Sequence, residues 1–324
     1  MASLRRISLA LLLLGCGAGA PPPPERPAPR APRLGALLSL VPPDATVLVV
    51  ARPTALLEAE PTRRLVEAVF SESQLDLFRA RTGIDPRELE EVVFVEHPDG
   101  RIVMVRGPID APFAVREAGE RMAPLESSVD EPVVRRAGFL GSRRSDVAAL
   151  AEDVVVWVDG TPQLAAAVLA SARRAQGDRV DPLGGASADI RRELSSAPLV
   201  LYAPRPLGLP GDTGVGVLLA REEALGASMT AADGELLLRA ELRGEFPPNS
   251  HENFRALAES LAASDFGAAL GARDALPSLR IQTEDGRVSL RAEVPPQVLV
   301  SGLRALLVAE MQELLEIPEP ETTP

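Results

Sequence analysis

Residues 91–107 read EVVFVEHPDGRIVMVRG. Two apolar runs, Val92 to Val95 and Ile102 to Val105, flank His97-Pro98-Asp99-Gly100. Pro98 presets the first turn position, and Asp99-Gly100 supply turn chemistry. β-branched runs joined in this way predict an antiparallel hairpin. The same signature returns in LGASMTAADGELLLRAELRG, residues 225–244, which turns at Asp233-Gly234, and in LPSLRIQTEDGRVSLRAEV, residues 276–294, which turns at Asp285-Gly286. Helical patterns lie between the hairpins. The implied class is α+β: antiparallel sheet with helices packed on one face.

The elements recur in order. VLVVARP at 47–53 and LVLYAPRP at 199–206 are each an apolar strand that stops at an Arg-Pro step. Helical pattern follows the first at 54–70, interrupted at Pro61, and again at 74–82, where Gly83 suits a left-handed cap. After the hairpin, Asp110 caps a helix over 111–122. A strand pair is read at 132–142 and 153–159, then a helix with Thr161 as cap and Pro162 in its first turn. The second half repeats this plan: helical pattern at 214–226, a hairpin, a helix capped by Asn249 with Glu252 three residues on, a hairpin, and a helix from Pro296 to Glu316. That last helix carries Leu303, Leu307, Met311 and Leu314 on one face. Two similar tandem units are therefore expected, at 34–175 and 198–316. A Gly/Pro/Asp-rich linker at 176–197 joins them, and an acidic tail follows at 317–324.

The amino-terminal stretch has a different character. Arg5 and Arg6 precede an apolar run from Ile7 to Leu14, then small residues. This is a secretory-signal layout; eight helical residues span about 12 Å against a hydrocarbon core of about 30 Å. Leu13-Leu14-Gly15-Cys16 resembles a bacterial lipobox. The resemblance implies cleavage between Gly15 and Cys16 and lipidation of Cys16, with residues 1–15 as signal peptide. The rest of the chain resembles uncharacterised envelope lipoproteins of GC-rich Gram-negative bacteria in overall plan. Cys16 is the only cysteine, so no disulfide can form within the chain. Residues 21–33, PPPPERPAPRAPR, hold seven prolines and read as a spacer of roughly 40 Å at polyproline rise. With Cys16 they make a lipidated spacer, 16–33. Gly17 after the cysteine, where Asp would favour retention at the inner membrane, leans the reading toward the outer membrane, facing periplasm or surface.

Net charge is −12, becoming about −14 once residues 1–15 are removed. All 34 basic residues are Arg, and no window collects enough of them without acids to make a phosphate-binding stripe. Nucleic acid is thereby an unfavoured partner. One Trp, one Tyr and eight Phe leave little for stacking on bases or sugars.

The search for chemistry is sparse. His97 reads as a turn residue, and HENFR around His251 lacks the second zinc-binding histidine, Arg255 standing there instead. GGASAD around Ser187 departs from a nucleophile elbow and reads as linker. Gly214 and Gly216 lack the third glycine of a dinucleotide fingerprint, since Leu219 occupies its place. Glu90-Glu91 and Glu222-Glu223 read as surface acids, and Trp157 in VVVWVDG as core. No catalytic, metal or cofactor-binding residue is singled out, and no cofactor or nucleotide is expected. The expectation is a non-catalytic envelope lipoprotein, held on a membrane through Cys16 and presenting a surface to a protein partner. The alternatives are a periplasmic small-ligand-binding protein and a carboxylate-dependent hydrolase. A groove between the two units is where a ligand would be sought.

Overall fold

The computed structural model describes residues 37–125, 134–174, 183–204, 206, 219, 221–246, 250–264, 267 and 271–300. The expected features at Gly15 and Cys16, the spacer, Gly214 and Gly216, the Asn249 cap and the stripe from Leu303 to Leu314 lie outside them.

Strand β1 (Val47–Ala51) leads into helices α1 (Pro53–Glu58), α2 (Glu60–Val69) and α3 (Glu72–Thr82). The hairpin β2 (Glu91–His97) and β3 (Gly100–Arg106) follows, then α4 (Ala111–Glu120). A meander of β4 (Ala123–Pro124), β5 (Arg135–Leu140), β6 (Arg143–Ala151) and β7 (Val154–Gly160) precedes α5 (Pro162–Arg174). The second half holds α6 (Ala186–Leu194), β8 (Leu199–Ala203), β9 (Glu222–Ala232) and β10 (Glu235–Gly244). It continues with α7 (Ser250–Ala263), α8 (Ala272–Ala275), β11 (Arg280–Glu284) and β12 (Arg287–Val294). The class is α+β, as read from the hairpins.

The caps act as the residue types dictate. Ser71 and Gln74 form a reciprocal capping box on α3, and Gly83 ends that helix at φ 69°. Asp110 accepts the Phe113 amide at 2.9 Å. Asp233 and Gly234 take φ 48° and 86°, the left-handed pair of a tight two-residue hairpin.

Three expectations are corrected. The halves do not form separate sheets. All twelve strands make one antiparallel sheet in the order β11-β12-β10-β9-β8-β1-β2-β3-β7-β6-β5-β4. The halves join where β1 pairs β8, Val49 opposite Leu201, and the Arg52 guanidinium donates to the Ala197 carbonyl at 2.6 Å. Outward from that seam the order is β1-β2-β3-β7-β6-β5-β4 on one side and β8-β9-β10-β12-β11 on the other.

Second, helices cover both sheet faces. Val93, Val95, Ile102, Met104 and Val156 pack under α5 and α6, while Val92, Phe94, Val103, Val105 and Val155 pack under α3 and α4. Unbroken runs such as VVFV and VVVWV have no polar side to give to water, so each face needs its own cover. Trp157 is half-buried against the second of these cores.

Third, three local assignments change. The linker at 176–197 contains α6, which buries Ser187, Ile190 and Leu194. Ile190 and Leu194, four residues apart on α6, and Ala197 just past its end are buried together, behind a Gly-rich start that masks the pattern. The strand pair at 132–142 and 153–159 has a further strand, β6, between its members, with its turn at Gly141 (φ 60°). Residues 222–226, read as helical, lie in β9.

Candidate functional site

α1 and α2 meet at a corner that sequence order alone explains. Pro61 sits in the first turn of α2, and Ala59 between the helices is extended at φ −90°, ψ 132°. The buried Thr62 hydroxyl lies 2.6 Å from the Leu56 carbonyl and 3.0 Å from that of Ala59, so its one proton ties the corner together. Sequence reading passed over Thr62. Its signal was faint: a hydroxyl beside a proline at a helix break.

This corner leans over the sheet of the other half. In register, Ala51, Leu199, Met229, Leu238 and Ala292 form one row across β1, β8, β9, β10 and β12. The neighbouring row is Leu201, Ala227, Ala240 and Leu290. Its two alanines leave a depression between larger neighbours. The result is an apolar groove of about 420 Å³, walled by Leu56, Leu65, Val66, Val69 and Phe70 on one side and by Leu279 and Leu299 on the other. Leu65 and Met229 are buried, whereas Val66, Val69, Leu199 and Leu238 are half-buried against the same cluster. One wall comes from the first half, and the other wall and most of the floor from the second, so residues of both halves line the groove. Leu299 and Val300 pack against this cluster. The lining carries almost no hydrogen-bonding capacity, so what it can do chemically is hold hydrocarbon.

The polar candidates lie elsewhere. His97 sits at the β2–β3 turn, where Nε2 is 3.0 Å from the Pro43 carbonyl oxygen and Nδ1 accepts the Asp99 amide at 3.1 Å. Both ring nitrogens are thus engaged in holding the turn. His251 is exposed in the first turn of α7, and Ser187 is buried in α6. Among the described residues no three His, Cys, Asp or Glu side chains gather as a metal-binding group. Glu91 is 3.6 Å from Arg106.

Glu222 departs from its reading as a surface acid. It is 2% exposed at the start of β9, beside the bulge opposite Gly244. Neither carboxylate oxygen has a hydrogen-bond partner among the described residues. Burial pushes its pKa from 4.5 up to about 7. Its neighbour Glu223 is exposed, so the pair does not act together on one site.

Among the described residues no helix is long and apolar enough to cross a membrane. No known protein family matches the chain, and no curated protein matches it in sequence. Solved structures do match in fold. Crystal form III of a protein named TP0453 aligns with a TM-score of 0.52 at 13% identity, over 83% of this chain and 97% of that one. Crystal form I aligns at 0.50 and 14% identity, over 84% and 98%, and crystal form IV at 0.50 and 12%, over 82% and 96%. At such identity the likeness is one of fold: nearly the whole of TP0453 follows the path of this chain.

Proposed function

We propose that the chain is a non-catalytic, lipid-anchored envelope protein whose groove receives an apolar ligand of hydrocarbon character. The observation that carries the ligand is the uninterrupted apolar row from Ala51 to Ala292 beneath the α1–α2 corner. Leu13-Leu14-Gly15-Cys16 and the proline spacer support the anchor: acyl chains on Cys16 would moor the folded part beside a bilayer, at the outer membrane by the Gly17 reading. A protein partner in the envelope belongs to this proposal; nucleic acid and nucleotide do not.

Two measurements test it separately. Intact mass of the natural protein should show Cys16 at the amino terminus carrying lipid, and Cys16→Ala should release the protein from membranes. A bare sulfur sinks the anchor and leaves the groove untouched. For the groove, the neutral fluorophore N-phenyl-1-naphthylamine should brighten on adding the full chain. Leu238→Trp, which fills the floor, should weaken that binding at least fivefold with the melting temperature nearly unchanged. Equal binding by the two proteins would remove the groove from the proposal.

A further inference from the structure

The opposite face of β10, β12 and β11 carries a second, polar feature. Three arginines stand in register across these strands: Arg239 opposite Arg291, and Arg291 opposite Arg280. Directly opposed side chains in a sheet have Cβ atoms about 4.5–5.5 Å apart, and like charges there repel. A polar cavity of about 530 Å³ opens over the row, lined by Arg239, Arg280, Arg287, Arg291, Glu241 and Glu293 among others. Two positive charges remain over on this lining, in a chain whose net charge is −12.

Two rungs along, the protein shows how it treats such a pair when it supplies the counter-charge itself. Arg243 is opposite Arg287. Glu193 of α6 reaches between them, 3.0 Å from Arg243 and in hydrogen-bond contact with Arg287. The buried Glu241 accepts from Arg287 at 3.0 Å and from Ser289 at 2.6 Å through one oxygen. Along the outer row no described helix brings in such a carboxylate. Among the described residues Arg239 has only the other Glu241 oxygen, at 3.5 Å. Arg291 meets Glu293 on its own strand at 3.2 Å, with both side chains about half exposed. Among the described residues Arg280 donates only to the adjoining Leu279 carbonyl, at 3.4 Å.

We infer that the Arg239–Arg291–Arg280 row is a binding site for a phosphate monoester group. Three guanidinium forks present more donors than the two oxygens of one carboxylate accept, whereas a phosphate monoester offers three terminal oxygens and nearly two negative charges. Glu193 serves the inner pair; the ligand serves the outer row. The cavity has room for more than the phosphate, so the group arrives on a small soluble molecule or on a lipid headgroup.

Calorimetric titration of the full chain with glycerol phosphate probes the soluble source. Flotation with phosphatidylcholine vesicles, with and without phosphatidic acid, probes the lipid source. Arg239→Gln and Arg291→Gln should each weaken binding at least tenfold, while Arg221→Gln, remote from the row, should not. Binding of glycerol phosphate assigns the soluble ligand; binding of phosphatidic acid vesicles alone assigns the headgroup. Stability supplies a second reading. Without ligand, Arg291→Gln should melt at or above the wild-type temperature, because a repulsion is removed, and the bound probe should raise only the wild-type value. The inference is overturned if neither probe binds, if the variants bind as wild type does, or if Arg291→Gln lowers the melting temperature in the absence of anion.

Discussion

At the residue scale, two buried carboxyls pull stability in opposite directions with pH. Glu222 holds protons more tightly folded than unfolded, its pKa rising from 4.5 to about 7 by burial. Stability with respect to this group is therefore greatest in acid and is lost as pH rises through that interval. Glu222→Gln should stabilise the protein at pH 8 by up to about 3 kcal/mol and leave it nearly unchanged at pH 4, as denaturant midpoints would show. Asp85 behaves the other way. Burial raises its pKa, but hydrogen bonds from the Arg87 side chain at 2.8 Å and backbone at 3.0 Å, with the Arg79 charge, more than offset this and hold it below the ordinary value. Its contribution is present at neutral pH and disappears once acid protonates it. Asp85→Asn should cost about 1–3 kcal/mol at pH 7, with the difference shrinking toward pH 3. Neither environment was legible in the sequence. Glu222 stands in a run of two acids, and only a fold that buries one face of a strand separates it from exposed Glu223.

At the scale of elements, helix ends and turns were the most legible parts, since their determinants are local. Gly83, Asp110 and Asp233-Gly234 each act within four residues of themselves. Helix α6 was the least legible. Its Gly184-Gly185 start reads as linker, and only Ile190 and Leu194 among its apolar residues are buried. What holds it is a close approach: a Cβ on Gly226 of β9 would lie 2.2 Å from the Ile190 methyl and 2.9 Å from Leu194. Gly226→Val should push α6 off the sheet and cost about 1–3 kcal/mol by chemical denaturation, whereas Gly234→Asn at the exposed hairpin turn should cost far less. Displacing α6 also moves Glu193, so Gly226→Val should loosen the Arg243–Arg287 pair that this carboxylate bridges.

At the scale of the whole molecule, the seam between β1 and β8 makes one folding unit of the two halves. A fragment ending near residue 175 would bare the β1 edge, with Leu48 and Val50 in its apolar core and no partner strand. Such an edge templates association. The fragment should therefore elute as oligomers or aggregate, while the full chain should unfold in a single calorimetric transition. Two separate transitions in the full chain would mean that the seam does not couple the halves. The amino-acid sequence by itself determined the hairpins, the helix caps and the α+β class, because turn chemistry and capping act over a few residues. The apolar strand runs were read as needing helices on one face, and only the tertiary structure placed helices on both. The single sheet and the groove were decided by pairing across more than a hundred residues of chain, as of Ala51 with Leu199, and the arginine row and the buried Glu222 by strand register, as of Arg239 with Arg291 and Glu222 with Gly244. Those depend on which strand finds which partner, and a one-dimensional pattern does not specify that pairing.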